Sequence, residues 1–272
     1  MRERPIGVFD SGIGGLTVVR QLLAALPRES IVYFGDTARV PYGTKSADTV
    51  TRFSREAAHF LARRKIKLLI VACNSASAVA LPTLQREWEL PMMGVILPGA
   101  RAAARATRGK KVAVVGTPAT VGSGAYEAAL AAIDPAIEVR GKACPLFVPL
   151  AEEGWTEGPV PEEAARAYLT PVLEWGADTL VLGCTHYPLL KGTLQKVAGP
   201  DVTLVDTAIE TVAEVRRHLE SSDLLAVGES VTREYFVSDV PTQFRSVGER
   251  FLGEPIEALH WVDQDDLPWY ER

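Results

Sequence analysis

The sequence predicts an α/β protein of two pseudosymmetric parallel-sheet domains, with a ligand cleft between them. Three observations carry this expectation. Short β-branched apolar runs alternate with segments of helical period, the layout of βαβ units. One half of the chain repeats the layout of the other. The length of 272 residues, 47% of them hydrophobic and 23% charged, suffices for one large globular domain or two small ones.

The apolar runs occupy residues 6–9, 31–34, 68–72, 92–96, 112–115, 180–182 and 202–205. Runs this short, closed by Gly, Asp or Asn, fit strands buried on both faces. Between the first two, GLTVVRQLLAALP sets Leu16, Val19, Leu22, Leu23 and Leu26 on one helical face. Residues 46–65 do the same with Val50, Phe53, Ala57, Phe60 and Leu61. After about residue 208 come a helix in AIETVAEVRRHLE, a strand around 235–237, and an aromatic tail with Asp263, Asp265 and Asp266. This remainder is too small to fold alone, so it is expected to return to the first domain. The expected division is residues 1–97 with 209–272, and 98–208, with Pro98 and Gly99 breaking the pattern between them.

The repeat aligns KLLIVACNSASAVALPTLQREWELPMMGVI with DTLVLGCTHYPLLKGTLQKVAGPDVTLVDT. Each reads as apolar strand, Cys, two polar residues, a helix containing Thr-Leu-Gln, and a second apolar strand. GVFDSGIGG and VAVVGTPAT open the two halves in the same way, a strand running into a Gly- or Thr-rich turn.

Composition narrows the function. A net charge of −5 excludes a generally basic nucleic-acid binder. Three cysteines, Cys73, Cys144 and Cys184, make neither a disulfide framework nor a zinc-ligand spacing. MRERPIGVFDSG lacks the apolar stretch of a signal peptide, and no apolar run is long enough to span a bilayer. The expectation is a cytoplasmic chain whose thiols stay reduced.

Cys73 and Cys184 are the strongest candidates for chemistry. Each is expected at the carboxyl end of a parallel strand, where ligands of open α/β sheets bind. Each is also expected just before a helix whose dipole draws the thiol pKa down. With the domains face to face, the two thiols approach one substrate from opposite sides. Asn74, Ser75, Thr185 and His186 follow the cysteines; they can cap helices and also offer donors to a carboxylate. His186 adds a group that exchanges protons near neutrality. Asp10, ending the first strand in DSGIGG, is either an N-cap or a carboxylate beside the ligand. Tyr42 and Gly43 form a turn-like segment before the second helix. Cys144 has no counterpart and reads as core. His59, His218, His260 and the Arg101, Arg105, Arg108 stripe read as core or solvated positions.

Taken in order, DSGIGG, PYG, VACNSASA, VVGTPAT and LGCTHYP resemble the glutamate racemases of the aspartate/glutamate racemase family, over residues 6–208. The His after Cys-Thr resembles the glutamate branch, since related aspartate racemases tend to carry Glu there. Ser75 departs from the Thr of many members but keeps the hydroxyl. The resemblance implies cofactor-independent interconversion of L- and D-glutamate for peptidoglycan synthesis. It also implies a small-molecule substrate, no nucleic-acid or membrane partner, and a homodimer. It matches substrate contacts onto Asp10, Ser11, Tyr42, Gly43, Asn74, Ser75, Thr117, Thr185 and His186, with Glu152 auxiliary. It assigns Cys73 to deprotonation of D-glutamate and Cys184 to the L-enantiomer. An aspartate racemase, a Cys/His hydrolase using Cys184, and a passive two-domain binding protein are the competing readings.

Overall fold

The computed structural model describes residues 1–263. The chain starts with β1 (Ile6–Asp10), α1 (Leu16–Ala25), β2 (Ile31–Gly35) and α2 (Ala47–Ala62). Next come β3 (Leu68–Val71), α3 (Asn74–Val79), α4 (Leu81–Glu87), β4 (Met92–Gly94) and α5 (Ile96–Ala106). A second series follows with β5 (Lys111–Gly116), α6 (Pro118–Gly122), α7 (Ala125–Ile133) and β6 (Glu138–Ala143). It continues through α8 (Phe147–Glu153), α9 (Pro159–Glu174), β7 (Thr179–Gly183), α10 (Lys191–Ala198) and β8 (Thr203–Asp206). The described chain closes with α11 (Thr207–Ser221), β9 (Arg233–Val237), α12 (Pro241–Leu252) and β10 (Leu259–Trp261).

Two wholly parallel sheets result, one in the order β10-β9-β2-β1-β3-β4 and the other β6-β5-β7-β8. The repeat is exact in topology: β2-β1-β3-β4 of the first sheet matches β6-β5-β7-β8 of the second. In each sheet the connection reverses between the two central strands, β1/β3 and β5/β7. Those are the points where a crevice opens at the carboxyl ends. The residue runs that follow β1, β3, β5 and β7 are DSGIGG, CNSASA, TPAT and CTHYP.

The repeated Thr-Leu-Gln has a physical role. Leu84 and Leu194 are fully buried at equivalent places beneath their sheets. Gln85 donates from Nε2 to the carbonyl of Met92 at 3.0 Å, and Gln195 donates to that of Val202 at 3.0 Å. Each glutamine thus ties its helix to the start of the strand that follows. Gln195 also reaches the Gly199 carbonyl at 2.7 Å.

Three expectations are corrected. Pro98 and Gly99 do not break the chain; they lie in the first turn of α5, where a missing N–H costs nothing. The run at 92–96 leaves the sheet after Gly94 for the same helix. Two strands were missed: β6 is an edge strand with the largely exposed sequence EVRGKA, and β10 is a three-residue edge. The expected strand at 235–237 is β9, and it pairs with β2 in the first sheet. Helix α11 buries Ala208, Val212, Val215 and Leu219 in the core beneath that sheet.

Arg101 and Arg105 are partly exposed and pair with Glu214 and Glu210 of α11, at 2.7 and 2.9 Å. Arg108 donates to the Asp201 carbonyl at 3.3 Å. His260 lies on β10, stacked on Phe236. Asp265 and Asp266 lie outside the described residues. No described helix is long and apolar enough to cross a membrane.

Replacing Gln195 by Ala removes two part-buried bonds to backbone carbonyls and should cost about 1–3 kcal/mol. Gln85→Ala, with one such bond, should cost about half as much. Urea midpoints of the two variants test this; equal and negligible shifts would contradict the role given to the repeat.

Candidate functional site

Cys73 leaves β3 in extended conformation and serves as the N-cap residue of α3, without a side-chain cap bond. Its thiol donates to the Ser11 hydroxyl at 3.5 Å, so the loops after β1 and β3 meet at the sulfur. Asp10 ends β1, fully buried, and accepts the Gly12 N–H at 2.9 Å. Its other oxygen, Oδ1, is buried with no partner. Gly15 must be Gly here, because a Cβ would come within 2.5 Å of the Asp10 Cβ.

Cys184 follows β7 in the same way, but a short 3-10 turn, Tyr187–Leu190, comes before α10. The Cys184 sulfur lies 3.9 Å from His186 Nδ1. On its far side, His186 Nε2 meets Glu152 Oε1 at 2.9 Å. The chain from sulfur through imidazole to carboxylate runs from a buried cysteine to a carboxylate that is 42% exposed. Beside Glu152 a cavity of about 140 Å³ opens against Gly12, Ile13, Val40, Val240 and Phe244. Solvent therefore reaches the carboxylate end of the chain while both cysteines stay about 6% exposed.

The two walls are bonded to each other. Thr17 of α1 donates to the Thr185 carbonyl at 2.9 Å. A Cβ on Gly14 would overlap Thr185 Oγ1 and the His186 ring, so the DSGIGG glycine is what lets the walls close. Ser75 lies 3.0 Å from Thr117 Oγ1 and 3.2 Å from Thr120 Oγ1, and the two threonine hydroxyls are 3.0 Å apart. Gly43 packs on the Thr117 side chain. Ser75, Thr117 and Gly43 thus form one lining, and the Tyr42–Gly43 backbone faces it. The Tyr42 hydroxyl points elsewhere, donating to the buried Asp36 carboxylate. Asp36 also takes Arg39 at 2.7 Å and the Ser238 hydroxyl at 2.9 Å, which anchors the segment carrying Tyr42 and Gly43.

Burial pushes the Cys73 thiol up to about 12; Asp10 and Cys184 add to the rise, against Ser11 and the Ala76 N–H. The expected helix-dipole lowering is thus overturned at Cys73. Dehydration and a neighbouring carboxylate outweigh the first turn of a six-residue helix. Burial also raises the Asp10 carboxyl above its usual range, against His186 and the N–H groups of Gly12, Gly15 and Ser11. At His186 burial opposes the charge. Hydrogen bonds to Cys184 and Glu152 outweigh it and lift the imidazole to about 10. Cys144 is core, as expected, its thiol pushed up to about 12 by burial.

Asp10, Ser11, Gly43, Asn74, Ser75, Thr117, Thr185, His186, Glu152 and both cysteines are therefore brought together at the carboxyl ends of the two sheets. Thr120, Tyr126 and Asp36 belong to the same surroundings and were not anticipated. Thr120 could have been found, since it stands three residues after Thr117 in the VVGTPAT segment. Among the described residues, no group of three or more His, Cys, Asp or Glu converges as a metal site.

Two parallel sheets of matching topology, with a buried thiol at the equivalent strand end of each, define a class of duplicated α/β proteins. The Asp/Glu/hydantoin racemase family model matches residues 6–215, and the chain belongs to that family, which makes it an isomerase. The glutamate racemase of Geobacter metallireducens is 56% identical over 263 residues, covering 96% of this chain and 97% of that one. The structure of glutamate racemase from Francisella tularensis in complex with D-glutamate superposes with a TM-score of 0.92. It is 40% identical, over 97% of this chain and 99% of that one. The Thermus thermophilus glutamate racemase, in complex with beta-chloro-D-alanine, gives a TM-score of 0.90 at 47% identity, over 98% and 99% of the chains.

The His186–Glu152 pair carries a pH signature. Because hydrogen bonds to Cys184 and then Glu152 together raise the His186 pKa above its ordinary 6.5, the stabilisation they give, of which Glu152 supplies part, is complete below pH 6.5 and is lost as the pH rises through about 10. The difference in melting temperature between wild type and Glu152→Gln should be largest near pH 6 and shrink steadily through that window. A difference independent of pH would contradict the pairing.

Proposed function

We propose that this chain interconverts L- and D-glutamate by two-base proton transfer at the α-carbon, without a bound cofactor, with Cys73 and Cys184 on opposite faces. The observation that carries the reading is the placement of two buried thiols at equivalent strand ends of facing sheets, each with its own partner. Ser11 and Asp10 attend Cys73; His186 and Glu152 attend Cys184.

In the forward direction from L-glutamate, the Cys184 thiolate removes the α-proton. The electron pair left on the α-carbon delocalises into the α-carboxylate, and the Cys73 thiol delivers its proton to the other face. Sulfur charge moves from Cys184 to Cys73, and D-glutamate turnover runs the same steps backward. The static charges favour this starting state. The buried Cys73 holds its proton beside Asp10, and His186 carries positive charge toward Cys184. The substrate's ammonium brings a compensating cation into the cleft while the negative charge passes from Cys184 through the α-carbon to Cys73. Hydroxyl and backbone donors from Ser75, Thr117, Thr120 and Gly43 suit one carboxylate; those around Asn74 and Thr185 suit the other. Water exclusion strengthens each of these contacts.

Glutamate as the substrate is supported by the names of the relatives and by the D-glutamate held in the Francisella tularensis structure. The product would supply peptidoglycan synthesis, and we place the enzyme in the cytoplasm as a homodimer. Among the described residues, 1–97 with 209–263 would move as one unit against 98–208, opening the cleft for exchange.

Racemisation followed by polarimetry from each enantiomer tests the reading. Cys73→Ser and Cys184→Ser should each lower kcat by about two to four decades in both directions. Either variant retaining more than a tenth of wild-type activity would sink the two-base assignment. A wild-type enzyme inert on glutamate and active on aspartate would move the substrate.

A further inference from the structure

Tyr126 is a fully buried residue in the first turn of α7, within the core of the second sheet. Its hydroxyl donates to Asn74 Oδ1 at 2.8 Å, crossing from the second sheet's layer to the first. Asn74 is itself 3% exposed, and its Nδ2 has no partner. A buried amide donor left empty is costly, so this one awaits an acceptor.

The ring of Tyr126 is held on two sides by glycines. A Cβ on Gly99 would sit 3.4 Å from the ring and its hydroxyl, and one on Gly183 would sit 3.3 Å from the ring. Gly183 immediately precedes Cys184, and Asn74 immediately follows Cys73. Tyr126 therefore touches the neighbour of each proposed base at once.

A carboxamide can present either end. Were the Asn74 amide turned round, Nδ2 would donate to the Tyr126 oxygen and Oδ1 would face the cleft, repelling a substrate carboxylate. The tyrosine proton would also lose its acceptor. Burial, with Cys184 nearby, raises the Tyr126 hydroxyl above its ordinary value and keeps it a donor. One orientation is thus selected.

We propose that Tyr126 is a positioning residue of this site: its hydroxyl fixes the Asn74 carboxamide so that Nδ2 donates to the substrate carboxylate, and its ring spaces the Cys73 wall from the Cys184 wall. The proposal rests on the glutamate racemase reading. It gives a core tyrosine a role in substrate affinity that its distance along the chain from either cysteine would hide.

A double-mutant cycle on racemisation kinetics tests it. Tyr126→Phe keeps the ring and should lower kcat/KM about tenfold, chiefly through KM. In an Asn74→Ala background the same change should alter kcat/KM by less than about twofold, because the amide it orients is gone. Equal losses in both backgrounds, or no loss in the single variant, overturn the proposal. Asn74→Asp supplies an arm that does not depend on Tyr126→Phe folding. It keeps an acceptor for Tyr126 but turns an anionic oxygen to the substrate, so KM should rise about tenfold or more; an unchanged KM also overturns the proposal. A wild-type protein inert toward glutamate overturns the racemase reading and this proposal together. An active wild type with additive losses overturns this proposal alone.

Discussion

Between the carboxyl ends of β3 and β7 the chain buries two thiols, a carboxylate and an imidazole, and keeps water from nearly all of them. In so dry a volume each charge is felt by every other. Asp10 acts on Cys73 and on His186, and Cys73 and Cys184 act on each other. The proton inventory of the cleft belongs to the group rather than to any member. Within the cleft, Asp10 Oδ1 and Asn74 Nδ2 are buried without a hydrogen-bond partner, as groups awaiting a polar ligand are.

The fold exists to hold that volume closed. Duplicated sheets put equivalent strand ends on both walls, which is the simplest way to approach one carbon from two sides. Closure is then secured by contacts too short for any side chain at Gly14, by the Thr17 bond to Thr185, and by the Ser75–Thr117–Thr120 hydroxyls. The two helices and two strands that follow β8 among the described residues widen the first sheet and reach round to the site. Ser238, beyond β9, bonds Asp36 and so supports the segment that carries Gly43. The C-terminal return thus bears on the cleft and not just on stability.

Much of this was legible in the sequence. The central strands of both sheets are continuous apolar runs because they are buried on two faces, and they read without ambiguity. β6 did not, since an edge strand facing solvent carries Glu138, Arg140 and Lys142 in place of an apolar run. Cys73, Cys184, Asp10 and the polar residues after them stood out by their place in the repeat. Asp36, Thr120 and Tyr126 did not, because their importance comes from groups that meet only in three dimensions. The direction of the Cys73 shift was misjudged for a related reason. A helix terminus can be read from a sequence, whereas complete dehydration beside a carboxylate cannot.

The central claim is that proton removal and delivery occur on opposite faces by different groups. Racemisation of each enantiomer in deuterated water, stopped within the first few per cent of turnover, tests it most directly. The account predicts product bearing deuterium at the α-carbon and recovered substrate bearing none, from either starting enantiomer. Deuterium in recovered substrate at the same rate as in product, or protium carried through to product, would mean one base serving both faces and would contradict it.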